Sequence, residues 1–201
     1  MSTSSIEATG LSAALRSASR TSHGTLDKRI MAAKPFSSRE RYADFLQVQY
    51  RFHRDVAALF ANQELNRLLP GLAGRQRLNA VVQDLNDLDK TLPQNLDAPE
   101  FAEATDVDLA SALGWLYVEQ GSNLGAAFLL KAAAALELNA DFGARHLAPH
   151  DQGRALSWKE FSAQLDAVEL DDIARARAVE AAQAAFRKVH DYVHAHCQIH
   201  V

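Results

Sequence analysis

The stretch that most constrains the fold is residues 106–138, the longest apolar run in the sequence. Its richness in alanine and leucine predicts one long, buried helix. This run nevertheless contains three interior glycines, Gly114, Gly121 and Gly125. Each costs a helix up to about 1 kcal/mol relative to alanine. We therefore expect the helix to approach another group closely at these positions.

Gly121 and Gly125 are one helical turn apart, so they lie on one face and leave backbone uncovered there. Two interpretations are open. Pairs of small residues are common where two helices cross. The alternative is a helix that kinks over a planar cofactor, with the glycine peptide groups facing the ligand.

The rest of the sequence also favours helices, because only 9 glycines and 5 prolines occur among 201 residues. We predict an all-α fold without strands. Ser37 and Ser38 are candidate caps for a helix that carries Tyr42 to Phe60. The other predicted helices cover about 11–33, 74–88, 106–138, 157–168 with Ser157 as its cap, and 171–196 beginning at Asp171. Residues 91–100 are predicted as a loop, and 141–153 as irregular chain or a short helix.

Length and charge limit the kind of protein. A chain of 201 residues fits a single domain, 1–201, of which we expect 1–10 to be a disordered N-terminus. The net charge of −4, from 21 basic and 25 acidic residues, argues against a nucleic-acid binder. No segment resembles a signal peptide or a membrane span, so we expect a cytoplasmic protein, which we take to be a monomer.

His23 is followed one helical turn later by Asp27. A carboxylate so placed can accept a hydrogen bond from one ring nitrogen, as it does beside many histidines that bind metals. An ordinary surface pair between the two side chains is the other interpretation.

Histidines also cluster at the C-terminus, at His190, His194, His196 and His200, beside the single cysteine, Cys197. His190 and His194 have a spacing that could bind a transition metal, but we favour a solvated terminal cluster. A single cysteine excludes an internal disulfide and a site with several thiolates.

Several segments together carry a resemblance to a known family. They are Gly114-Trp115-Leu116-Tyr117, the stretch Glu-Gln-Gly-Ser-Asn-Leu-Gly-Ala-Ala-Phe-Leu at 119–129, Phe-Gly-Ala-Arg-His-Leu-Ala-Pro-His at 142–150, and Gly153-Arg154. In this order they resemble the bacterial biliverdin-forming haem oxygenases of pathogenic Gram-negative species, over about 11–189. The resemblance implies a single-domain helical bundle with haem between a proximal helix and a kinked distal helix.

The resemblance also implies a reaction. Haem would be both substrate and cofactor, with His23 as the axial ligand and Asp27 orienting it. Gly121 and Gly125 would let the distal backbone approach bound dioxygen. The products would be biliverdin, ferrous iron and carbon monoxide, for iron acquisition. Since no flavin or nicotinamide fingerprint is present, a ferredoxin or a flavoprotein reductase would supply the electrons.

Further residues are assigned by the same resemblance. Candidates for holding distal waters are Gln49, His53, Arg77, Asn123 and Trp158, with Asn123 also among the haem-binding residues. Candidates for binding the haem propionates are Arg16, Arg20, Tyr117 and Lys131. Related enzymes that cleave at the β or δ carbon differ at Arg16, Tyr117 and Ala132, so we predict cleavage at the α carbon.

Two rival functions remain. A haem-sequestering protein would use the same His23 pocket but leave haem intact. A thiaminase-like helical enzyme would need a catalytic cysteine or paired carboxylates in the core, whereas Cys197 lies near the chain end.

Overall fold

The computed structural model describes residues 10–94, 96–103 and 106–197. Within these ranges the chain forms seven α-helices and no strand. The helices are α1 Leu11–Ala32, α2 Arg39–Ala61, α3 Gln63–Leu68, α4 Leu78–Asp87, α5 Leu109–Ala133, α6 Arg154–Asp166 and α7 Asp172–His196. Short 3₁₀ turns occur at Leu72–Arg75, Ala134–Leu136 and Arg145–Leu147. The all-α prediction is confirmed.

The starts of α2 and α7 are capped by the residues that the sequence predicted. The Ser38 side chain accepts a hydrogen bond from the Arg41 amide at the start of α2. The Asp171 carboxylate accepts one from the Ala174 amide at the start of α7. Each satisfies a backbone donor that the first helical turn leaves free.

Other predicted boundaries are wrong. Ser157 does not cap α6, which begins at Arg154 after Gly153. The predicted helix over 74–88 starts at Leu78, because a 3₁₀ turn precedes it. The short helix α3, which the sequence did not predict, is capped by Asn62.

Helix α7 packs against both α1 and α5. Gln183 donates to the Ala18 carbonyl, and Arg29 contacts His194, so α1 and α7 run in the same direction. Arg177 pairs with Asp108 at the start of α5. Beyond that point the helices meet at Gly114. A Cβ atom there would lie 2.2 Å from the Ala178 carbonyl oxygen, so this glycine permits the close approach of α5 to α7.

Burial divides α5 into two halves. Its first half is almost wholly buried as far as Gln120, whereas Leu124 and Phe128 in the second half are 45% and 63% exposed. The predicted burial of this helix therefore holds only for its first half. No described helix has the length and apolarity needed to cross a membrane.

Candidate functional site

Helices α1 and α5 meet where Tyr117 contacts α1. Burial raises the pKa of Tyr117, while its neighbours Ser19 and Arg16 act in the opposite direction. His23 lies one helical turn after Ser19 on α1, and Gly121 lies one turn after Tyr117 on α5. The two positions of greatest interest in the sequence therefore lie one turn beyond the point where α1 and α5 meet.

His23 is oriented by its neighbours on both sides. Its Nδ1 lies 2.9 Å from the Asp27 carboxylate, and both side chains are 60% exposed. Its ring also meets Phe186 of α7 edge-on, with 5.9 Å between ring centroids. When Nδ1–H donates to Asp27, Nε2 remains free to bind a metal ion.

The glycine pair has open space in front of it. A Cβ atom at Gly121 would only touch the Trp158 ring, at 3.6 Å, and one at Gly125 would meet no atom within 4 Å. The close helix crossing lies instead at Gly114. A close helix crossing therefore does not explain Gly121 and Gly125.

The cationic candidates lie along the same two helices. Arg16 and Arg20 are exposed on α1, on the turns before His23. Lys131 is exposed in the last turn of α5 and forms no ion pair with another described residue. These side chains are therefore available to a carboxylate ligand.

Behind the glycine pair lies a buried polar network. His53 and Glu119 are 4% and 0% exposed, and His53 Nδ1 lies 3.1 Å from Glu119 Oε1, although the two atoms are not aligned for a hydrogen bond. Gln120 donates to the other Glu119 oxygen at 2.6 Å. Arg75 donates to Gln120 at 3.4 Å and to the Ser157 hydroxyl at 2.6 Å.

A small pocket lies beside this network. Its lining contains two of the predicted water-holding residues, Asn123 and Trp158. The full lining is Arg75, Gln120, Asn123, Leu124, His150, Arg154, Ser157 and Trp158. The amide nitrogen of Asn123 and Nε2 of His150 are buried without a partner among the described residues. Burial, together with Arg77 and Arg75, lowers the pKa of His150.

The other predicted water-holding residues do not line the pocket. Gln49 is half-buried on α2, one turn before His53. Arg77 is buried, and its guanidinium donates to the carbonyls of His146 and Ala148. Arg77 therefore holds the loop that precedes α6.

Sequence reasoning missed several members of the network, namely Glu119, Gln120, Arg75, Ser157 and His150. A signal was present for Glu119, since it is the only acidic residue of α5 and interrupts an apolar run. A charge at such a place is retained only with partners. Those partners come from distant parts of the chain, so the sequence did not reveal them.

Two of the C-terminal histidines have polar neighbours, one on α1 and one on α7. His194 Nδ1 lies 2.5 Å from Arg29, and His190 lies 3.9 Å from Asp191. Among the described residues, no group of three or more histidine, cysteine or acidic side chains could hold a metal ion. His200 lies outside the described residues.

Comparisons with known proteins place nearly the whole chain beside haem oxygenases. The model of the heme oxygenase family matches residues 9–195. The heme oxygenase PigA of Pseudomonas aeruginosa is 45% identical over 169 residues, which is 84% of each chain. The NO- and CO-bound heme oxygenase from Neisseria meningitidis has a solved structure that superposes with a TM-score of 0.88 at 36% identity. That match covers 96% of this chain and 95% of the other.

Proposed function

The chain belongs to the haem oxygenase family and is a haem-degrading oxidoreductase, and from this premise we propose that it opens haem at the α-meso carbon. The products are biliverdin, ferrous iron and carbon monoxide. The physiological purpose is the acquisition of iron from haem, in the cytoplasm, by a monomeric enzyme. Haem is both its substrate and its prosthetic group.

One observation carries this proposal: the open backbone face at Gly121 and Gly125 follows the contact of α5 with α1, and the corresponding turn of α1 carries an exposed histidine paired with a carboxylate. The exposed side chains of Leu124 and Phe128 make this face apolar. A flat, apolar, iron-containing ligand matches all three features: metal ligand, uncovered backbone and apolar surface.

Haem supplies the iron that binds dioxygen and the porphyrin ring that is oxidised. His23 would hold the haem iron through Nε2, and Asp27, 2.9 Å from Nδ1, would keep the ring in the required tautomer. Gly121 and Gly125 would keep side chains away from the space that the ligand needs. The protein thus controls the reaction through access and orientation.

The polar residues have two tasks. Arg16, Arg20, Tyr117 and Lys131 would bind the propionates, because guanidinium and ammonium groups match carboxylates. Gln49, His53, Arg77, Asn123 and Trp158 would hold the waters that supply protons to the site. The pairing of Arg16 with Tyr117 favours the ring orientation that exposes the α-meso carbon.

Electrons come from a separate ferredoxin or flavoprotein reductase. Exposed basic residues on α1, at Arg16, Arg20 and Lys28, lie on the helix that carries His23. They offer an acidic redox protein a docking surface beside the haem edge.

The test is an optical spectrum of the haem complex in air, before and after addition of ascorbate or a ferredoxin system. Wild type should lose its Soret band and yield biliverdin whose chromatographic isomer is α. His23→Ala should lose the axial ligand and both changes. His190→Ala, which removes a histidine on α7 near Asp191, is the matched control and should behave as wild type.

A Soret band that persists under reductant would replace this proposal with the haem-sequestering function. A β or δ isomer would contradict only the ring orientation assigned to Arg16 and Tyr117.

A further inference from the structure

Gly153 and Arg154 lie at the start of α6, next to the glycine pair of α5. Gly153 has a φ of 86°, in the left-handed region that favours glycine. Arg154 follows as the first residue of α6, and its side chain is half-buried. Trp158, one turn later on the same face of α6, is the residue that a Cβ atom at Gly121 would touch. One face of α6 therefore contacts α5 where its open backbone begins.

The Arg154 guanidinium joins α5 to the loop that precedes α6. Its Nη1 donates to the Asn123 carbonyl at 3.0 Å, and its Nη2 donates to the Leu147 carbonyl. Asn123 lies between Gly121 and Gly125 in the sequence. The first of these hydrogen bonds therefore holds the backbone of α5 within the glycine pair.

The charge of Arg154 depends on these carbonyls. Burial lowers the pKa of Arg154, and no acidic group acts in the opposite direction. A half-buried cation is stable only where polar groups replace the water that it has lost. Hydrogen bonds from a charged donor are about twice as strong as those between neutral groups. The contact with the Asn123 carbonyl is therefore a firm one.

The loop at the other end of this connection is itself held in place. Arg77, just before α4, donates to the carbonyls of His146 and Ala148 at 3.2 and 2.8 Å. The carbonyls of three successive residues, His146, Leu147 and Ala148, are thus bound by two guanidinium groups. Arg154 therefore links α5 to a segment that is also anchored to α4.

We propose that Arg154 is a positioning residue for the glycine pair of α5: it holds the backbone at Asn123 and so fixes where Gly121 and Gly125 lie relative to α6. The exposed second half of α5 has little packing of its own to do this. The inference rests on the proposed function for its catalytic meaning, because the glycine pair there receives haem. Without Arg154, we expect haem to bind in more than one orientation.

The first test is nitrogen-15 NMR of the arginine side chains in the haem-free, wild-type protein. Rotation of the Arg154 guanidinium must break both of its hydrogen bonds, so its two Nη nitrogens should give separate signals. A single averaged Nη signal for Arg154 would overturn the proposal. This test needs no variant, so it remains valid even if a substitution prevents folding.

The second test is hydrogen exchange of haem-free variants. Arg154→Met keeps much of the side-chain length but removes all its donors. Amides at 124–128 should then exchange about tenfold faster, the effect of losing a hydrogen bond from a charged group, while those at 112–120 stay as in wild type. Arg154→Lys retains the charge and can bind one carbonyl, so its exchange should be intermediate. Unchanged exchange at 124–128 in a folded Arg154→Met would contradict the proposal.

Arg177→Met is the matched control. Arg177 pairs with Asp108 at 3.0 Å, so it is an arginine contact at the opposite end of the same helix. Exchange at 124–128 should remain as in wild type in this variant. Equal acceleration there in Arg177→Met and Arg154→Met would mean that any lost contact loosens α5, which would overturn the role assigned to Arg154.

The biliverdin isomers link this site to turnover. Arg154→Met should give a mixture of isomers where wild type gives one, and Arg154→Lys should restore most of the wild-type isomer. A loss of stability alone would lower the yield without changing the isomer ratio. A folded Arg154→Met with the wild-type ratio and rate would overturn the positioning role. Failure of wild type to degrade haem would instead contradict the proposed function, whereas the NMR and exchange results concern the haem-free protein and would be unaffected.

Discussion

At the scale of single residues, glycine has a different role at each of two positions in α5, Gly114 and Gly125. Gly114→Ala places a Cβ against the Ala178 carbonyl and should lower the free energy of unfolding by about 1–3 kcal/mol. Gly125→Ala places a Cβ in open space and should leave stability unchanged or raise it by up to about 1 kcal/mol. Urea unfolding of the haem-free variants measures both.

The effect of these variants on haem turnover should be the opposite of their effect on stability. Gly125→Ala should impair biliverdin formation because its methyl group covers the face reserved for the ligand. Normal turnover in a stable Gly125→Ala variant would mean that this face does not receive haem.

Cys197 offers a probe of the end of α7. Burial raises the pKa of its thiol to about 11, and the nearby Asp44 adds to this effect. Only the thiolate reacts with Ellman's reagent, so labelling at about pH 8 should be slow in the folded protein and fast in urea. Equally fast labelling in both conditions would mean that the thiol is accessible in the folded state.

At the scale of helices, α1 depends on α6 for its start. Gly10 provides no capping side chain, and the Ser12 amide and hydroxyl donate instead to Asp166, at 2.7 and 2.8 Å. Asp166→Ala should lower the free energy of unfolding by about 1 kcal/mol, the usual effect of losing a cap. Glu169→Ala, at an exposed site nearby, is the control, and equal thermal midpoints for the two variants would contradict this role.

The two halves of α5 should differ in dynamics. Amide hydrogens from Ala112 to Gln120 lie in the core and should exchange slowly with solvent, while those after Gly121 should exchange faster. Haem should slow exchange in the second half most. Hydrogen-exchange mass spectrometry of haem-free and haem-bound protein provides the comparison, and uniform protection along α5 would contradict it.

The sequence predicted the features that depend on contacts within one helical turn. The caps at Ser38 and Asp171 and the pair His23–Asp27 each involve residues within one helical turn, and the structure contains them. Contacts between distant residues were not predictable in this way. Arg75 donates to Ser157, and Ser157 lies inside α6 and does not cap it.

The candidate site follows the same rule. The Gly121 and Gly125 pattern marked an unusual helix face, but only the packing of α7 against Gly114 showed which glycine serves the fold. Likewise, His53 was noticed as a polar residue among apolar neighbours. Its partner Glu119 comes from another helix.

At the scale of the whole molecule, buried histidines make stability depend on pH. Burial lowers the pKa values of His146, His150 and His196 in the folded state below the ordinary 6.5. Protonation therefore favours the unfolded chain, so this contribution is complete above about pH 6.5 and is lost as pH falls through the folded-state values.

Urea midpoints should accordingly decrease from about pH 7.5 to about pH 5.5. His146→Gln should be less stable near neutral pH but should lose less of its stability over this interval. Equal losses in wild type and His146→Gln would show that His146 does not contribute to the pH dependence.

The exposed second half of α5 has a consequence for how such a chain diversifies. Leu124 and Phe128 lie outside the core, so their replacement disturbs little that folding requires. Natural selection can therefore alter this exposed surface while the interior remains the same. Single substitutions on it need no compensating changes elsewhere in the chain.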